Sequence, residues 1–101
     1  MTDPRQRLDK WLWFARFAKT RTTAAKLVEG GFVRLNGERI VQPAKAVRPG
    51  DVLTIAAPHR TVALKVLAAG DRRGPAPEAR SLYEELGGRD DGALVTRPEG
   101  G

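Results

Sequence analysis

"LVEGGFVRLNGERI", residues 27–40, changes its apolar period partway through. Leu27 and Val28 close a helical pattern that includes Ala24, and "EGG" ends it, with Gly30 placed for the left-handed C-cap position. "FVRLNGERI" then offers two short strand-like runs on either side of Asn36-Gly37. That dipeptide suits the positive φ angles of a two-residue hairpin turn. A helix running directly into a hairpin implies a mixed α+β domain, with Arg34 and Arg39 on the hairpin.

Working backward, Thr20 can serve as N-cap of this second helix, whose core side is Ala24, Leu27 and Val28. Before it stands "RLDKWLWFARFAKTR", residues 7–21. Leu8, Trp11, Leu12, Ala15 and Ala18 recur there at helical spacing and form one apolar stripe, which assigns Trp11 to the core. At about 100° per residue, Lys10, Trp13 and Phe17 fall on the opposite side, with Phe14 at the stripe's edge and Asp9 and Arg16 on the remaining flank. Four of the chain's six aromatic residues therefore crowd into one stretch, threaded by Lys10, Arg16 and Lys19. A core alone does not need the cations, and a solvated basic face does not need the rings.

Working forward, "QPAKAVRPGD" reads as a loop closed by a Pro49-Gly50 turn, and "DVLTIAA" and "RTVALKVLAAG" as strands joined around Pro58-His59. Their alternation is imperfect, so at least one strand is expected to be buried on both faces or bulged. "PAPEARSLYEEL" reads as a terminal helix and "GGRDDGALVTRPEGG" as a disordered tail. The expected organisation is an arm at 1–6, one domain at 7–86 and a flexible Gly-rich tail at 87–101, without internal repeats.

A chain of 101 residues holds one domain with a modest two-layer core, which leaves little room for a catalytic domain beside a binding one. Cysteine is absent and His59 is the single histidine, so disulfide frameworks and Cys-based metal sites are excluded and His-based ones have little to draw on. No apolar signal core follows the N-terminus and no apolar run approaches a membrane span, so a cytoplasmic protein without membrane contact is expected. Eighteen Lys and Arg against twelve Asp and Glu give a net charge of +6, which favours a polyanionic partner. The excess is local: residues 1–60 carry twelve basic and five acidic side chains, residues 61–101 six and seven. Within residues 5–26 seven cations face Asp9 as their one counter-charge. Solubility would be served as well by mixed signs. Cations can pair with phosphates, Arg in a planar bidentate geometry, and exposed rings can stack on unpaired bases, so this stretch is a candidate nucleic-acid surface.

Arg7-Leu8-Asp9-Lys10, the aromatic "WLW", Lys19-Thr20-Arg21, "LVEGGFVRLNG" and "VRPGDVLTI" together resemble the S4 RNA-binding domain, and within it the ribosome-associated heat shock protein 15 family. The resemblance covers about residues 7–86. It implies an α+β fold with two N-terminal helices packed on a small, mostly antiparallel sheet and a C-terminal helix, the helices and first hairpin forming one RNA-facing surface. By motif, it assigns Arg7, Lys10, Arg16, Lys19, Arg21 and Lys26 to helical RNA contacts and Arg34 and Asn36 to the hairpin. Trp13 and Phe17 are candidates for base stacking, with burial as the competing expectation. The family resemblance implies a noncatalytic factor binding rRNA on the large ribosomal subunit, with peptidyl-tRNA as a further contact, in rescue or recycling of stalled subunits under heat stress. A monomer without metal or small-molecule cofactor is expected. Some larger relatives continue into a strongly basic C-terminal extension, whereas this sequence ends in a Gly-rich, acid-containing stretch.

Catalytic signals are weak. "RLD" also occurs in pseudouridine synthases, but the Thr-Ser-Gly that usually follows is missing, and Asp9 in a first helical turn is accounted for by the helix dipole. His59 has no sequence-local acid or nucleophile. Glu84 and Glu85, adjacent on an expected helix, point in different directions. "GGRDDG" lacks the spaced ligands of a calcium loop. Two other classes stay open. One is a helix-turn-helix protein, for which "RTTAAKLVE" lacks the Asn and Gln that read adenine, although nonspecific DNA binding remains compatible with the charge. The other is an accessory module guiding an RNA-modification enzyme in trans.

Overall fold

The computed structural model describes residues 5–57 and 60–90. Strand β1 (Gln6–Arg7) leads into helix α1 (Leu8–Phe14), followed by α2 (Arg21–Glu29), β2 (Val33–Leu35), β3 (Glu38–Ile40), β4 (Ala46–Val47), β5 (Val52–Ala57), β6 (Arg60–Val66), α3 (Ala76–Arg80) and β7 (Tyr83–Asp90). Five strands form an antiparallel sheet in the order β3-β2-β5-β6-β7, and β1 pairs separately with β4. The expected α+β architecture of helices on a mostly antiparallel sheet is present. His59, residues 91–101 of the expected tail and residues 1–4 of the expected arm lie outside the described residues.

Register sets the core. Ile40, Val33, Ile55 and Val62 are successive cross-strand partners, as are Leu35, Leu53 and Leu64, so two apolar rows run across one face of the sheet. Leu8, Trp11 and Leu12 of α1 and Ala24 and Val28 of α2 cover these rows in a single buried cluster. Pleating sends the alternate residues Arg34 and Lys65 outward. The two-residue turn has Asn36 at φ 52° and Gly37 at φ 87°, as the sequence predicts.

Both main helices stop by the same device. Gly31, at φ +80°, occupies the left-handed position, one residue beyond the Gly30 expected from sequence. The Gly31 N–H donates to the Val28 carbonyl at 2.9 Å and that of Phe32 to Leu27 at 3.1 Å, the paired bonds of a Schellman motif. In α1 the left-handed residue is Arg16, at φ 68°. Its N–H donates to Trp13 at 3.1 Å and that of Phe17 to Leu12 at 2.9 Å. The helix therefore ends at Phe14, and a 100° projection no longer applies beyond it. Phe17 is correspondingly not opposite the core. Its ring lies 6.2 Å from that of Trp11 and 4.9 Å from that of Tyr83.

The first N–H groups of α1 need no side-chain cap, because those of Leu8 and Asp9 donate to the carbonyls of Lys45 (2.8 Å) and Pro43 (3.1 Å). The segment after β6 ties α1 to the sheet. Trp11 Nε1 donates to the Ala68 carbonyl at 2.9 Å, and the Gln6 amide both donates to and accepts from the Gly70 backbone, at 2.9 and 3.0 Å. Gly70 lies so close to Phe14 that a Cβ there would come within 2.8 Å of the Phe14 side chain.

The terminal helix predicted over "PAPEARSLYEEL" is present in its first half alone. Two prolines open α3, and Leu82 N–H closes it on the Ala79 carbonyl. Tyr83 then pairs with Val66 and the chain continues as β7 beside β6. Glu84 and Glu85 are strand residues, and residues 87–90, expected as tail, belong to β7. Cross-strand hydrogen bonding here outweighs the helical propensity of "YEEL". The pairing jumps from Leu64–Glu85 to Ala63–Gly87, so Leu86 is the extra residue of a bulge.

Candidate nucleic-acid interface

The candidate surface is built around a buried acid. The Asp9 side chain is 4% exposed, whereas those of Arg7 and Arg21 keep 50% and 44% of their surface. Arg7 donates through Nε and Nη2 to the two Asp9 oxygens, both at 3.1 Å, a bidentate pair. The Lys10 N–H donates to Oδ1 at 2.7 Å, and Arg21 Nε stands 3.7 Å from Oδ2. Arg21 reaches this point because Thr20 caps α2, its hydroxyl accepting from Thr23 N–H at 3.0 Å. Arg7 and Arg21 thus converge from two helix starts on one carboxylate. With Thr22, Ala25, Lys26 and Glu29 they line a shallow open cleft.

Burial alone would push the Asp9 carboxyl up. The hydrogen bonds from Arg7 and Lys10 N–H and the charges of Arg7 and Arg21 outweigh it and hold the group below the usual carboxylate range. A lowered folded-state pKa means that Asp9 contributes stability fully above the unfolded value near 4, and that this is lost as pH falls through the lower folded value. Acid titration of wild type and Asp9→Asn is expected to show the difference in stability shrinking as pH drops below about 4. A difference independent of pH in that window would refute the assignment.

The other sequence candidates divide. Lys10 lies over the Phe14 ring, 5.6 Å from its centroid, on the same turn as Asp9. Lys19 and Lys26 are exposed on the turn before α2 and on α2 itself. Arg16 is directed elsewhere: its Nη1 donates to the Gly74 carbonyl at 2.9 Å, next to α3. Arg34 is on the face of β2 opposite Val33 and Leu35, away from the helix layer, with a 3.4 Å bond to Gly37 O. Asn36 is engaged within the fold. Its Oδ1 accepts from Val52 N–H at 2.9 Å and its Nδ2 donates to Asp51 at 3.3 Å, which fixes the turn against β5. Trp13 is half-buried, its ring stacked on Phe14 at 5.2 Å.

Sequence reading assigned Asp9 to the helix dipole and missed that it gathers two arginines. The spacing of Arg7 and Asp9 hinted at one pair, but nothing local signals Arg21. Among the described residues no group of three or more His, Asp or Glu side chains is arranged to hold a metal, and no helix is long and apolar enough to cross a membrane.

The residues carrying this geometry fall in the part of the chain, 6–53, that the S4 domain family model matches. Over 85 residues the chain is 41% identical to a heat shock protein 15 homolog of Haemophilus influenzae, covering 84% of this chain and 64% of that protein. It is 48% identical over 81 residues to heat shock protein 15 of Escherichia coli K12, covering 78% and 59%. A solved structure of Vibrio cholerae heat shock protein 15, described as trimeric, superposes with a TM-score of 0.76 at 45% identity, covering 81% of this chain and 82% of that one. The chain belongs to the heat shock protein 15 family of S4-domain proteins. It spans about three fifths of the length of these two sequence relatives.

Proposed function

We propose that this chain is a noncatalytic, cytoplasmic RNA-binding protein that associates with the ribosome, on rRNA of the large subunit and in reach of peptidyl-tRNA, during rescue or recycling of stalled subunits under heat stress. The observation that carries RNA binding is the pair of half-exposed guanidinium groups held on buried Asp9, beside Lys10 and Lys26. Such a pair loses little freedom on meeting a phosphate, because its orientation is already set. Family membership supports the ribosome as target. Cross-linking in the protein's own cells, followed by mapping of the bound RNA, tests the target, and recovery of no ribosomal RNA would refute it.

If four to six of the cations between residues 5 and 26 touch phosphates, the slope of log affinity against log salt is about −3 to −5, using about 0.7–0.9 per contact. A nearly flat slope would rule out this mode. Trp13→Ala is expected to keep the fold and to weaken RNA binding by about 1–3 kcal/mol through lost stacking. Thermal melts and RNA titrations check it together, and an unfolded variant would make the ring wholly a core residue. Binding as a monomer is part of the proposal. A threefold mass in sedimentation equilibrium, like the trimer described for the Vibrio cholerae relative, would overturn that part alone.

A further inference from the structure

We infer that the groove between the end of α1 and the α3–β7 segment is a second RNA subsite, one that takes an unpaired nucleotide of the RNA held by Arg7 and Arg21; this rests on the RNA-binding reading above. The groove has a volume of about 380 Å³, within the roughly 300–1,000 Å³ typical of small-ligand sites. Ala15, Ala76 and Ala79 line it with short side chains. Phe17 and Tyr83, whose rings are 4.9 Å apart, supply an aromatic wall. Arg16 and Arg80 bring two guanidinium groups, and Glu85 brings one carboxylate.

That combination selects among ligands. Two arginines favour a phosphate, and rings beside small side chains favour a flat base. The Glu85 carboxylate at the edge disfavours a bare inorganic anion through like-charge repulsion. Arg80 is exposed on α3 and lines the groove, so its charge is open to a ligand from solvent.

Arg16 adds an independent observation. The left-handed position that ends α1 would be met at lowest cost by glycine, as Gly31 does after α2, whereas a residue with a Cβ is disfavoured there. The arginine places a guanidinium at the groove and, by its bond to the Gly74 carbonyl, holds the approach to α3. The seven residues of α1 separate this groove from the Arg7–Asp9–Arg21 cluster by roughly 10 Å along the helix. A rise of that size is within the span of a short RNA segment, and the two sites lie at opposite ends of the same helix.

The test compares one RNA stem-loop, blunt, with the same stem-loop carrying a short unpaired extension that contains 2-aminopurine. Wild type is expected to bind the extended RNA roughly tenfold more tightly, the worth of a charge-assisted contact, and to quench the probe by stacking. Arg80→Ala should lose that increment and the quenching while binding the blunt stem as wild type does. Ala76→Leu, which fills the groove without removing a cation, should do the same. Melting curves establish that both variants are folded. The subsite is refuted if wild type does not distinguish the two RNAs, if the folded variants keep the increment, or if they weaken both RNAs equally. Failure of wild type to bind either RNA at low salt would instead refute the RNA-binding reading, and the subsite with it.

Discussion

Trp11→Ala is expected to cost roughly 3–5 kcal/mol of stability, against the 5–15 kcal/mol that holds a typical domain together, and so to leave much of the protein close to unfolding. Trp11 is 0% exposed and is the largest of the fully buried side chains. Its ring stacks on Phe17 and meets Tyr83 edge-on at 6.3 Å, so truncation opens a cavity at the junction of α1, the turn after it and β7. The loss is not purely apolar. Nε1 holds the Ala68 carbonyl, and alanine would leave that acceptor without its partner. Trp11→Phe separates the two effects, since it keeps most of the packing and loses the hydrogen bond, and about 1–2 kcal/mol is expected for it. Urea midpoints of the three proteins decide the matter. A midpoint for Trp11→Ala near that of wild type would mean that α1 is not seated on the sheet through this ring.

The burial of Trp11 was legible in the sequence because the stripe from Leu8 to Ala15 lies within one helix and its end, where a fixed angle per residue holds. Phe17 was not, because the angle assumed a helix that Arg16 had already ended. Nothing local marks an arginine as the residue that will take a left-handed conformation, whereas after α2 the two glycines signalled the stop and left open which of them turns. β7 was misread for a different reason. "YEEL" has acceptable helical propensity, and what makes it a strand is the free edge of β6, a partner distant in sequence. At the site, the cations were visible as a run of one sign, but their grouping was not. Arg7 and Arg21 meet because two helix starts converge on Asp9, while pleating puts Arg34 on the opposite face of β2 and the turn occupies Asn36. Composition located the surface, and tertiary geometry chose its members.

Replacing Arg7 and Arg21 together should weaken RNA binding by about a hundredfold, taking roughly tenfold for each lost charge-assisted contact. The salt slope should become shallower by about 1.4–1.8, the value of two phosphate contacts. A simpler explanation has to be separated from this one. Both arginines neutralise Asp9, and a buried carboxylate stripped of its partners is destabilising by itself, so the double variant could bind poorly because α1 and α2 are loosened. Adding Asp9→Asn removes that charge. If the arginines contact RNA, the triple variant Asp9→Asn, Arg7→Ala, Arg21→Ala recovers stability in urea titrations but stays weak and shallow in its salt response. If they act only by holding the helices, the triple variant recovers RNA affinity along with stability. Asp9→Asn alone completes the comparison. It leaves both guanidinium groups present but no longer held by a charge, and so should keep the wild-type salt slope with a lower affinity. The slope counts phosphates that are touched, whereas the affinity also reflects how far the touching groups were oriented beforehand.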